Sequence, residues 1–247
     1  MNANKKMISN VLLAGTIAVL TGCAATQTAL EHRTMEVSTK QSEPLFLEPV
    51  SKAQKTIYVS IKNTSDESID ITHQLKTALS NQGYRVVSQP NLAHYLLQAN
   101  IRKVGKMSVA ASESALGGGY GSAIAGAVAG TALGSFSNSS SGMIAGGVAG
   151  GLVGLAADSL VKAVNYTMIT DVLISERVGK GVQVKEQFES NIANGSSSTT
   201  LQSYSKSSQY QKYRIRIVSN ADKVNLKFSD ARGALEQGLV KNISEIF

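Results

Sequence analysis

One thiol occurs in the 247 residues, Cys23, and it closes the tetrapeptide Leu20-Thr21-Gly22-Cys23. A lone cysteine cannot build an internal disulfide framework, so its chemistry must lie elsewhere. In front of it stand a charged start (Lys5, Lys6), an apolar run from Val11 to Leu20 and a small-residue cleavage region. These are the three parts of an export signal, and the run is too short to span a bilayer. The tetrapeptide has the form of a lipobox, in which the thiol takes a diacylglycerol and cleavage frees the cysteine amine for another acyl chain. Residues 1–22 are expected to be removed as a lipoprotein signal peptide, leaving Cys23 first in the mature chain. The only groups added would be the covalent N-acyl and S-diacylglycerol moieties, with no cofactor. Three acyl chains, at about 0.8 kcal/mol per buried CH2, hold a protein on lipid essentially irreversibly. The next residue is Ala24 rather than an aspartate, which favours the outer membrane, with its lipid as the first partner.

Other reactive arrangements are missing from the sequence. His32, His73 and His94 stand far apart without carboxylate or thiol companions at ligand spacing, so no metal site is expected and each reads as a surface or packing residue. His94, beside Tyr95 at a strand entrance, is the one worth checking. No Gly-x-Ser-x-Gly elbow occurs. Gly117-Gly118-Gly119-Tyr120-Gly121 lacks the Gly-Lys-Ser/Thr ending of a phosphate loop. No catalytic residue is assigned, and an enzyme is not expected. The formal charge is +7; setting aside Lys5 and Lys6 leaves about +5, spread thinly along the chain. That argues against a nucleic-acid partner.

A different kind of spacing dominates the middle of the chain. From Ser114 to Ala157 there is no Asp, Glu, Lys or Arg. Within this stretch Gly126, Gly130 and Gly134 are four apart, and so are Gly142, Gly146, Gly150 and Gly154, beyond a polar tip of Ser137, Asn138, Ser139, Ser140 and Ser141. Spacing of four puts each set along one helical face. Glycine costs about 1 kcal/mol relative to alanine in a helix, so the stripe must be rewarded by its small size. Close helix approach in lipid or in a tight bundle supplies that reward. The first arm, Tyr120 to Phe136, would be about 25 Å long at 1.5 Å per residue, near the thickness of a thin outer membrane. Its few strong apolar residues make it too weak to insert alone, but able to insert once several copies close glycine face to glycine face. A glycine-packed hairpin against a soluble domain, or disorder, are the alternatives.

The elements around this insert are those of a small α+β fold. Residues 23–52, with Pro44 and Pro49, suit a lipid-anchored linker. Thr56 to Lys62 alternates as a strand; Ile71, Leu75, Ala78 and Leu79 recur at helical spacing, with Gly83 as the stop. Strands are expected over Tyr84–Val87, Tyr95–Val104, Tyr166–Ile174 and Tyr213–Val218. In the third of these, Met168, Val172 and Ile174 oppose the polar Thr167, Thr170 and Asp171. Ser229-Asp230 should cap a final helix whose Leu235, Leu239, Ile243 and Ile246 share one side. The domain is therefore expected in two parts, 53–113 and 163–247, with a mobile Ser-rich loop over 190–208. A glycine-zipper helical hairpin, 114–162, interrupts it, for membrane crossing or oligomerisation.

Beyond these readings the chain resembles the TraT family of surface-exclusion and complement-resistance lipoproteins of conjugative plasmids. The resemblance runs over essentially the whole length. It is carried by Cys23 in its lipobox, Phe46-Leu47-Glu48-Pro49, the strand from Val59 to Ser65, the glycine hairpin, the segment Val164–Val172 and the segment Val218–Phe228. It implies a surface-exposed, oligomeric outer-membrane lipoprotein that blocks redundant conjugative transfer into plasmid-bearing cells and contributes to serum resistance. A homo-oligomeric ring, and a donor-cell pilus component or a recipient outer-membrane receptor, are the implied partners. This chain departs from the family at Ala115–Gly121, unusually rich in glycine, and at the Ser137–Ser141 tip, the expected recognition surface. If exclusion specificity resides at the tip, a different donor group should be recognised. Two other functions remain open from the residues alone: a structural glycine-zipper lipoprotein that stabilises the envelope, and a secretion pore.

Overall fold

The structure, a computed structural model, describes residues 32–124, 163–179, 182, 184–194 and 198–247, with side chains left aside over 185–207. Cys23 and the signal, the glycines from Gly126 to Gly154, and the tip from Ser137 to Ser141 lie outside the described residues.

The α+β class stands. Six strands form one mixed sheet: β1 (Glu36–Gln41), β2 (Thr56–Asn63), β3 (Arg85–Val86), β4 (Tyr95–Lys106), β5 (Ala163–Arg177) and β8 (Tyr210–Val224), in the order β1-β8-β5-β4-β2-β3. β2 runs parallel to β3 and β4, and the remaining pairs are antiparallel. Helix α1 (Thr72–Asn81) connects β2 to β3, α2 (Val109–Gly117) follows β4, and α3 (Phe228–Ser244) follows β8. β6 (Val184–Asn194) and β7 (Ser198–Ser208) pair antiparallel, immediately after β5 and before β8 in the chain.

Alternation decides which side chains face which layer. Leu97, Ala99, Ile101, Met168, Val172, Ile174, Ile215 and Ile217 meet Leu75 and Leu79 of α1 and Ala231, Leu235, Leu239 and Ile243 of α3 in the main core. The opposite face is covered more sparsely: Met107, Ala115, Ile169 and Val218 form a second, small cluster under α2, with Ala111, Leu116 and Ile124 against it. Small residues let α2 sit close to the sheet; its buried positions are Ser112 and Ala115. Ser108 caps it, its hydroxyl accepting from the Ala111 amide at 3.2 Å. Just past the end of α1, Gly83 has a φ of 86°, left-handed backbone that turns the chain away from the helix.

Several expectations need correction. The linker over 23–52 contains strand β1, which adds to the sheet through backbone pairing with β8; its sequence, with Val37 as its only aliphatic residue, carries little alternation to announce it. The Ser-rich stretch expected as a loop, 190–208, is largely paired backbone in β6 and β7. Ser229-Asp230 does not cap α3: the helix begins at Phe228, the cap residue is Lys227 with no side-chain cap bond, and Asp230 lies in the first turn. There the carboxylate favours the helix dipole instead. Thr167, Thr170 and Asp171, the polar residues set against the apolar positions of β5, are buried like them. Among the described residues no helix is long and apolar enough to cross a membrane, and the spanning hairpin expected over 114–162 falls mainly outside them.

Candidate functional site at the root of the insert

None of the predicted site residues, Cys23, the glycine stripe or the Ser137–Ser141 tip, is within the described residues. The structure does show how the stretch that carries the stripe and tip is rooted in the sheet. The root begins at α2, passes through the glycine-rich turn at Gly118–Gly121 and reaches Ile124, which packs against the small cluster.

A buried ion pair holds this root. Asp171 of β5 and Arg216 of β8 are directly opposite in the strand register. Arg216 is 0 % exposed and Asp171 5 %. The guanidinium clasps the carboxylate with both edges, Nε donating to Oδ1 at 2.7 Å and Nη2 to Oδ2 at 3.1 Å. Its remaining N–H groups all reach the root: Nη1 donates to the Ala115 carbonyl at 3.1 Å and to Ser122 Oγ at 2.6 Å, and Nη2 donates to the Ser122 carbonyl at 3.0 Å. The planar fork thus spends its five donors on one carboxylate and one turn of chain, a geometry lysine cannot reproduce.

Asp171 binds the root as well. Its Oδ2 accepts from the Gly121 amide at 3.1 Å and from Arg102 Nη1 at 2.8 Å. Arg102 is the unpaired residue of a β4 irregularity between Ile101 and Lys103. Gly121 presents its amide with φ at 75°, and Gly119 has φ at 67°. A side chain at either position would strain the backbone by about 1–2 kcal/mol, the cost of left-handed geometry. The glycine-rich run therefore shapes a turn around a buried carboxylate. Every N–H of Arg216 and both oxygens of Asp171 are engaged, so the arrangement positions chain. Beside it, between α2 and β1, lies a groove of about 290 Å3 bordered by His32, Lys40, Val109, Glu113 and Asp222.

The far end of the sheet is built differently. Glu176 accepts from the hydroxyls of Tyr95 at 3.2 Å and Tyr213 at 3.1 Å. Tyr84 donates to the Phe247 carbonyl at 2.9 Å, and the rings of Tyr84, Tyr95 and Phe247 meet edge to face. Burial, with Glu176 adding to it, pushes the Tyr213 hydroxyl up to about 12, and the same causes raise Tyr95 further. His94 packs on Tyr95 with ring centroids 4.7 Å apart and keeps its Nε2 3.9 Å from Glu176. Burial lowers its pKa, and the Glu176 charge opposes that shift in part. His32 faces Asp222, and His73 is exposed. Among the described residues no group of three or more His, Cys, Asp or Glu is placed to hold a metal.

Sequence reasoning missed Asp171, Arg216, Arg102 and Ser122 as a set. The available signal was a charged residue at the centre of two strongly aliphatic runs, Ile169–Ile174 and Ile215–Val218.

Comparison with known proteins matches residues 34–247 to the family model described as Enterobacterial TraT complement resistance protein. A TraT complement resistance protein of Escherichia coli is 40% identical over 248 residues, covering 100% of both chains. Another from the same species is 41% identical over 244 residues, 98% of each. One from Wigglesworthia glossinidia brevipalpis is 26% identical over 229 residues, 92% of this chain and 91% of the relative.

Proposed function

We propose that this chain, which belongs to the TraT family of complement resistance proteins, protects its cell from complement as a lipid-anchored protein on the outer-membrane surface. The observation that carries the reading is end-to-end similarity: two relatives match the whole length of the chain. The lipobox supports acylation at Cys23, and with it a permanent place on the membrane.

Within that role the chain also acts in surface exclusion, stopping a plasmid-bearing cell from receiving a similar plasmid, by masking a recipient receptor or binding a donor pilus component. The glycines Gly126, Gly130, Gly134, Gly142, Gly146, Gly150 and Gly154 supply the faces on which copies assemble, and Ser137–Ser141 the surface that meets a partner. The glycine spacing also supports a second reading, an envelope lipoprotein that stabilises the membrane.

Two assays on cells expressing the protein separate these readings. Serum survival should rise with expression and fall back when Cys23→Ser removes the acylation site. Mating efficiency into the same cells should drop for a related donor. Unchanged survival sinks the protective role, and unchanged mating with every donor leaves the stabilising one.

A further inference from the structure

Two stretches of chain meet at one end of the sheet. The N-terminal segment enters there: the His32 carbonyl accepts from the Val224 amide at 3.0 Å, and β1 starts at Glu36 opposite Asp222. β4 also ends there, at Lys106, with the Met107 amide donating to the Asn165 carbonyl at 3.1 Å, whereas the root of the insert runs on along the sheet to Gly121 and Ser122 against Asp171 and Arg216. The chain returns there too, because β5 begins at Ala163 opposite Val224. The same strands carry Arg177 opposite Tyr210 at their other end, and β6 and β7 follow from it.

We propose that the end where these stretches meet is the membrane-facing pole of the domain, seated on lipid headgroups, and that the β6–β7 end is the pole held away from the bilayer. The proposal rests on the reading of Cys23 as acylated.

Length favours it. The nine residues from Cys23 to His32 reach at most about 30 Å at roughly 3.3–3.6 Å each. β5 alone runs from Ala163 to Arg177, a span of nearly 50 Å at about 3.4 Å per residue. The tether is thus shorter than the domain is long, and it starts from the pole at which β5 also begins.

The surface of that pole fits a headgroup layer. Met35, Val37 and Val109 stand there 36%, 43% and 53% exposed. Arg33, Lys106, Lys223 and Lys227 are exposed beside them, against the carboxylates of Glu36 and Asp230. Exposed aliphatics with long cationic side chains around them suit the boundary between acyl chains and anionic headgroups. The outward pole then offers the β6–β7 ribbon, so the first described element met by anything approaching the cell is a serine-rich hairpin.

The test uses the full acylated chain in vesicles of phosphatidylethanolamine and phosphatidylglycerol that carry a quencher on the lipid headgroup. Cys23 is the only cysteine, so a thiol introduced by Lys223→Cys or by Gln209→Cys is the one thiol open to a maleimide fluorophore. Both positions are exposed. Emission from the probe at 223 should fall severalfold while that at 209 is nearly unchanged. Equal quenching, or stronger quenching at 209, overturns the orientation. The mass of the N-terminal peptide is measured on the same preparations: an unmodified Cys23 overturns the anchor and the proposal together, whereas an acylated Cys23 with reversed quenching overturns the orientation alone.

Discussion

The two faces of the central sheet are held by different physics. On one, aliphatic side chains from four strands meet the apolar sides of α1 and α3; such packing is non-directional and tolerates exchange of one aliphatic for another of like volume. On the other, a small cluster leaves room for Asp171 and Arg216, whose bonds have fixed directions and end on a single turn of chain. The first face gives the domain its stability, while the second tells one segment where to go. Buried charge pairs are weak evidence for stability in themselves, but removing one member leaves an uncompensated ion, so the arrangement is unforgiving of error.

The largest expected effect tests that asymmetry directly. Asp171→Ala strands the fully buried Arg216 guanidinium and should cost about 3–5 kcal/mol in urea unfolding. The apolar double replacement Asp171→Leu with Arg216→Met should recover much of that loss while hydrogen exchange over 115–124 stays fast. If exchange there remains slow, the pair does not hold the root and the contrast between the faces fails. Leu235→Ala, on the helical face, should cost about 3 kcal/mol, and its exchange should quicken across the whole sheet rather than at the root. A smaller and more local loss, about 1–2 kcal/mol, is expected for Gly121→Ala, since alanine disfavours the left-handed φ of 75° found there.

The mildest effects come from pH at the far end. Burial lowers the folded pKa of His94 below its ordinary 6.5, so the unfolded chain takes up that proton first. The stability it carries is complete above about pH 6.5 and is lost as pH falls through the lower folded value. His94→Gln should flatten that acid slope of the melting temperature. Tyr213 is the opposite case: pushed up from 10.0 to about 12, its contribution is complete below pH 10 and is lost as pH rises to about 12. The slope should shrink in Tyr213→Phe.

The helical face was the readable one. Ile71, Leu75 and Leu79, and Leu235, Leu239 and Ile243, recur at helical spacing and are all buried as that spacing demands. The strands Thr56–Asn63 and Tyr95–Lys106 alternate as half-buried strands should. What escaped was held by interactions that leave no periodic trace. β1 is kept in place by backbone pairing to a strand roughly 180 positions later. β6 and β7 pair through a ladder that needs no apolar side chains. Asp171 and Arg216 sit at polar positions of an alternating pattern, where charge ordinarily signals solvent; only a partner directly across the ladder lets them turn inward. The proposed acylation cysteine and glycine stripe are patterns local in sequence, whereas the clasp exists only once β5, β8 and α2 meet.

Strand order has a consequence for the timing of assembly. The sheet is closed by its first strand, β1, lying against its last, β8, so nothing upstream can complete the layer on its own. A polypeptide threaded through a narrow export channel from its leading end would keep that edge open until the trailing strand emerged, and contacts so distant along the chain form slowly. The topology thereby delays collapse until passage is nearly finished, as the proposed export to the outer membrane would require.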